Sequence, residues 1–173
     1  MTTGPVPARR LWIGTYPVAG QGTPTGSGEG IWTVTLDVGS GLLSEPRQVA
    51  TTPAPSFLAH GPLGGVLYAV NEQAEGSLTA FAVAGDALRE LGRVASGGQD
   101  PCHLLVLERP TAALVANYSS GSLALIPLGP DGEPRPAPGD PCVLHGSGPD
   151  AERQATVLDR RHDREIRLLD HAI

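Results

Sequence analysis

One pattern is written twice between residues 55 and 128 of this chain. Three landmarks recur in both copies: Pro55 and Pro101, Asn71 and Asn117, and Gly76 and Gly121. The offset between copies is 46 residues for the prolines and the asparagines and 45 for the glycines. Three landmarks at nearly one offset indicate an internal repeat rather than a chance resemblance.

Each copy divides into short strands separated by turn residues. In the first copy, apolar and polar stretches predict strands at about residues 56–60, 66–71, 77–83 and 88–95. Gly64-Gly65 separates the first two strands and marks a tight hairpin. A repeat of about 40–50 residues built from short strands is typical of a β-propeller blade. One four-stranded sheet cannot bury both of its faces, so blades must stack on one another.

The sequence preceding the repeat predicts where the chain enters the propeller. Residues 1–10 form a polar lead, and Leu11-Trp-Ile-Gly-Thr-Tyr16 matches the second strand of a blade, from Leu67 onward. The chain therefore enters in mid-blade, and a strand from its C-terminal end would complete that blade and remove the sheet edges.

Composition excludes several functional classes. The net charge is −6, the twelve basic residues are all arginine, and no basic patch is visible, so we expect no nucleic-acid partner. No apolar run approaches the ~20 residues of a membrane span, which predicts no membrane partner and a cytoplasmic protein. Cys102 and Cys142 form no C-x-x-C pair, and the five histidines are scattered, so we expect no metal site and no cofactor.

Several motifs together resemble the seven-bladed β-propeller lactonase family, over residues 11–154. The motifs are Ala54-Pro-Ser-Phe-Leu58, Leu67-Tyr-Ala-Val-Asn-Glu72, Pro101-Cys-His-Leu104, Val115-Ala-Asn-Tyr118, Gly121-Ser122 and residues 145–154. The best-known activity of that family is 6-phosphogluconolactonase, and fungal carboxymuconate cyclases are relatives. The resemblance implies an all-β chain: a partial β-propeller with about three of seven four-stranded antiparallel blades.

Seven blades at this period would need about 320 residues, whereas the chain has 173. We expect blade segments at about residues 11–51, 55–96 and 101–145, within a propeller region that spans residues 11–154. Residues 155–173 contain no Gly or Pro, and eight of the nineteen are charged. The Pro-His-Ala-His motif of the family is absent there, so we hypothesise a divergent tail that arose by a frameshift or deletion after Gln154.

Two residues are candidate catalytic groups for lactone hydrolysis, which needs a base to activate water and a donor to stabilise the oxyanion. His103 opens the first strand of the third blade segment; the alternative is a histidine that bonds the backbone of a neighbouring blade. Glu72 departs from its own repeat, because Tyr118 replaces it in the next copy; the alternative is a solvated carboxylate. His60, at the other end of the equivalent strand, is a weaker candidate.

Three further residues are candidate substrate-binding groups. Arg153 matches an Arg-Gln pair of the family and could bind an anionic substrate, and His145 belongs to the same loop. Asn117 shares its repeat position with Asn71, which also favours a structural role in which the amide caps the following turn.

The sequence leaves several functions open. The first is hydrolysis of 6-phosphogluconolactone, an anionic lactone, and the second is a carboxymuconate-type cyclase or another sugar-lactone hydrolase. A non-catalytic binding propeller and an inactive truncated product are the others, since a propeller alone does not specify chemistry. No Gly-x-Ser-x-Gly motif is present, which disfavours a serine hydrolase. Open propeller edges predict self-association.

Overall fold

The computed structural model describes residues 8–16, 30–62, 64–109, 111–136 and 142–145. These residues form three antiparallel sheets, each with its strands in chain order. The first sheet contains β1 (Ala8–Gly14), β2 (Ile31–Asp37) and β3 (Arg47–Ala50). The second contains β4 (Leu58–His60), β5 (Val66–Asn71), β6 (Ser77–Ala84) and β7 (Ala87–Ala95). The third contains β8 (Pro101–Leu107), β9 (Ala112–Asn117), β10 (Ser122–Pro127) and β11 (Cys142–His145).

The three sheets are successive blades of a partial β-propeller, which confirms the predicted all-β fold. No described segment is helical, so the described chain contains no helix that could cross a membrane. The strand β1 begins at Ala8, three residues before the predicted start, because residues 8–10 continue the antiparallel register against residues 35–37. Within the described residues the first sheet has three strands.

Strict alternation along β5 explains why the sheets stack. Tyr68 and Val70 face the third sheet and join a buried cluster with apolar residues of β9 and β10. Leu67 and Ala69 face the opposite way and pack with Ile31 of the first sheet. Because successive side chains of a strand point to opposite faces, one strand supplies both interfaces of the middle blade. Burial of apolar surface on both faces is what joins the three sheets.

Gly14 shows how closely the first two blades approach each other. A Cβ at this position would overlap the carbonyl oxygen of Pro55, at the start of the second blade. Only glycine allows the end of β1 to lie against that backbone. This approach places Tyr16, two residues further along, beside the end of β5.

Candidate functional site

In the second and third blades, the second strand ends in an asparagine that anchors the chain. Asn71, at the end of β5, is fully buried. Its Nδ2 donates to Thr52 Oγ1 at 2.9 Å and to the carbonyl oxygen of Pro53 at 2.6 Å. Its Oδ1 accepts from Ser77 Oγ at 3.1 Å and Thr79 Oγ1 at 2.6 Å. Asn71 therefore links the segment between the first two blades to the third strand of its own blade.

Asn117, at the end of β9, occupies the equivalent place one blade later and is also buried. Its Nδ2 donates to the carbonyl oxygen of Ser96 at 3.3 Å and to Ser122 Oγ at 3.1 Å. Its Oδ1 is buried and accepts no hydrogen bond from the described residues. The amide nitrogen thus has a structural role, and binding of a substrate by Asn117 stays a prediction that would rest on Oδ1.

Glu72 follows Asn71 directly and is held at two points. Its backbone N–H donates to the carbonyl oxygen of Ala54 at 2.9 Å. Its side-chain Oε2 accepts a hydrogen bond of 2.5 Å from the phenol of Tyr16, which follows β1 in the first blade. The carboxylate is therefore placed at the junction between the first and second blades, at the end of β5.

Two groups with raised pKa values interact with this carboxylate. Burial, together with the hydrogen bond to Glu72, raises the pKa of Tyr16 to about 12, so the phenol is a neutral donor at physiological pH. Cys102, in β8 of the third blade, is a half-buried free thiol. Burial, with the negative charge of Glu72 as the next cause, raises the pKa of this thiol. Glu72 thus contacts the first blade through Tyr16 and affects the charge equilibrium of Cys102 in the third.

His103 lies one residue beyond Cys102 in β8, and its side chain is half-buried. The register between β8 and β9 shifts between Pro101 and His103, which marks a β-bulge at the start of the strand. The imidazole lies against the ring of Phe57, with 4.3 Å between ring centroids and 44° between the planes. Bulges re-aim side chains and are frequent next to active sites. A catalytic role for His103 stays a prediction.

The remaining candidates are placed as follows. His60 is exposed at the last position of β4, opposite Leu67. His145 is the last residue of β11 and pairs with Ser122 through its backbone, and its side chain lies outside the described residues. Arg153 and the tail at residues 155–173 lie outside the described residues as well.

Sequence reasoning missed Tyr16 and Cys102 as members of the site. A signal for Tyr16 was present, because the match of Leu11 to Leu67 puts Tyr16 at the repeat position of Glu72. The two side chains that occupy this position in adjacent blades contact each other. For Cys102 no motif gave a signal, since its proximity to Glu72 depends on how two blades pack.

The family model described as a lactonase with a seven-bladed β-propeller matches residues 10–158 of the chain. The 6-phosphogluconolactonase of Bacillus subtilis is 30% identical over 146 residues, which are 83% of this chain and 39% of that protein. A provisionally named 6-phosphogluconolactonase from Bacteroides uniformis has a crystal structure that matches with a TM-score of 0.69. That match has 35% identity and covers 85% of this chain and 41% of the other.

A third similar protein is the periplasmic gluconolactonase of Pseudomonas aeruginosa. Its structure matches with a TM-score of 0.68 and 28% identity, over 75% of this chain and 37% of that one. The chain thus spans about two fifths of the length of the relatives it matches.

Proposed function

Because the chain belongs to the seven-bladed β-propeller lactonase family, we propose that it contributes three blades of a hydrolase that opens sugar lactones, with 6-phosphogluconolactone as substrate. The observation that carries this proposal is the carboxylate of Glu72, held by the Tyr16 phenol where the first two blades meet. The similarity to the 6-phosphogluconolactonase of Bacillus subtilis supports the choice of substrate.

The proposed chemistry adds water across one ester bond. Glu72 takes a proton from water as the hydroxyl oxygen attacks the lactone carbonyl, and a tetrahedral oxyanion forms. Collapse of this intermediate breaks the ring C–O bond, and the proton passes to the departing alkoxide to give the open hydroxy acid. His103 is the alternative base, and Arg153 and His145 are the proposed partners of the substrate's anionic group.

Hydrolysis of an unphosphorylated sugar lactone is the second candidate. Two carboxylates, Glu72 and Asp100, influence Cys102 at this junction. Among the described residues, the ion pairs involve neither of them. An acidic neighbourhood suits hydroxyl groups better than a phosphate, and the similarity to a gluconolactonase points the same way.

The test is hydrolysis of both lactones by the purified chain, measured as acid release above the spontaneous rate. We expect Glu72→Gln to lower kcat by about 100-fold or more, the range for loss of a general base. Tyr118→Phe is the matched control, because it alters the same repeat position in the next blade, where the side chain is 48% exposed. The ratio of kcat/KM for the two lactones decides between the substrates. No hydrolysis of either lactone would refute the proposal.

We also propose that the chain self-associates through β1. In the described residues β1 pairs with β2 along one edge, and Leu11 and Ile13 are about two fifths exposed on it. An unpaired strand edge with apolar side chains is a template for another strand. Size-exclusion chromatography with light scattering would detect the assembly, and a monodisperse monomer would contradict it. The cytoplasmic location stays a prediction.

A further inference from the structure

Tyr16 and Glu72 are joined across two blades although they are 56 residues apart in the chain. Both follow the second strand of their blades, and the repeat places them at one structural position. The hydrogen bond therefore links like positions of neighbouring blades. In the third blade the same position holds Tyr118, which is about half exposed.

The bond engages one oxygen of the carboxylate and leaves the other for a ligand. Oε2 accepts from the phenol, while within the described residues Oε1 accepts no hydrogen bond and the carboxylate forms no ion pair. The backbone of Glu72 is fixed separately through the carbonyl oxygen of Ala54. A flexible side chain anchored at its backbone and at one oxygen has little freedom left, which is what a pre-organised catalytic group requires.

The neighbours of the carboxylate favour this arrangement at neutral pH. Tyr16 and Cys102 both have raised pKa values, so both remain protonated and neutral beside Glu72. The carboxylate therefore has an uncharged donor at Oε2, and among the described residues it forms no ion pair.

We infer that Tyr16 is a positioning residue, whose phenol holds Oε2 of Glu72 so that Oε1 receives the proton of the water that opens the lactone. This inference rests on the proposed function. Tyr16 itself does not touch the reacting atoms, and it acts through Glu72. Its loss should therefore lower the rate of the chemical step and leave substrate binding nearly unchanged.

The first experiment compares steady-state kinetics of the full chain and two matched variants. Tyr16→Phe removes the hydroxyl that donates to Glu72, and Tyr118→Phe removes the hydroxyl at the same repeat position one blade later. We expect Tyr16→Phe to lower kcat by about 10-fold or more, as small misplacements of a reacting group do, with KM within about twofold. Tyr118→Phe should leave both parameters within about twofold of the wild type. Equal effects of the two variants on kcat would overturn the inference.

The second experiment follows tyrosine ionisation by absorbance at about 295 nm, and it does not depend on activity. Tyr16 and Tyr68 both have pKa values raised to about 12. We expect Glu72→Gln to move one titration toward the ordinary value, and Tyr16→Phe to abolish that same step. If Glu72→Gln leaves every tyrosine titration in place, the pairing itself is refuted. If the titrations show the Tyr16–Glu72 hydrogen bond but the wild-type chain hydrolyses no lactone, the proposed function is refuted, and the positioning role is refuted with it.

Discussion

Ala54 and Asp100 occupy the same position of successive repeats, and both have a left-handed backbone, with φ of 38° and 51°. Each precedes a proline, and each carbonyl oxygen accepts the N–H of the residue after the second strand of its blade. For Ala54 that residue is Glu72, and for Asp100 it is Tyr118. Residues other than glycine adopt this backbone at a cost and keep it where their surroundings impose it, often at functional sites.

The strain at Ala54 predicts an unequal response to two substitutions. Ala54→Val should lower the free energy of unfolding by about 2 kcal/mol, because a β-branched side chain is disfavoured at positive φ. Ala54→Gly should change it by less than about 1 kcal/mol, since relief of strain offsets the loss of a buried methyl group. Chemical denaturation measures both values. Ala95→Val, at an exposed strand position, is the control, and an equal loss there would contradict the explanation.

The asparagine anchors predict a graded loss of stability. Asn71→Ala removes four hydrogen bonds of a buried side chain, although Arg93 still donates to the hydroxyls of Thr52 and Thr79. Loss of these bonds should cost about 1–3 kcal/mol in all. Asn117→Ala breaks two weaker contacts, at 3.3 and 3.1 Å, and should cost less. Thermal unfolding of both variants measures the difference. An equal loss of stability in the two variants would contradict the explanation, because Asn117 makes fewer and longer hydrogen bonds than Asn71.

The repeat predicted the blades because its information is local. Period-2 alternation around Tyr68 and the glycine turns specify strands that each copy repeats, and the structure has those strands. Asn71 was predicted as a cap of the following turn, and its bond to Ser77 fits that role. Its bonds back to Thr52 and Pro53 were not predicted, because they depend on how one blade enters the next.

The candidate site was only partly predictable for the same reason. Glu72 was identified because it departs from its own repeat. Its hydrogen-bond partner Tyr16 lies in the first blade, and Cys102, whose pKa it raises, lies in the third. Neither interaction follows from a local sequence pattern. His103 lies in the strand that was predicted for it, but neither its ring contact with Phe57 nor the register shift at the start of β8 follows from the sequence pattern.

The raised pKa of the Tyr68 phenol predicts that the protein loses stability at alkaline pH. Burial raises its pKa to about 12, above the value near 10 of an unfolded chain. Between these values the unfolded state has released the proton and the folded state has kept it, so the free energy of unfolding falls as pH rises. Tyr68→Phe removes this contribution and should flatten the decline between about pH 10 and 12. It should also cost about 1 kcal/mol at pH 7, through loss of the 2.8 Å bond to the carbonyl oxygen of Gly132.

Cys102 provides a chemical probe of the charge on Glu72. The thiolate is the reactive form of cysteine, so the raised pKa of Cys102 slows its reaction with a disulfide reagent at neutral pH. The rate should continue to rise with pH above the usual pKa of a thiol. Glu72→Gln removes one cause of the raised pKa and should accelerate the reaction at pH 8 severalfold. A Cys142→Ser background makes Cys102 the thiol that is measured. Glu75→Gln, an exposed carboxylate three residues along the chain, is the matched control and should leave the rate unchanged. If both variants react at the wild-type rate, Glu72 does not raise the pKa of the Cys102 thiol, and the proposed interaction between these two residues is refuted.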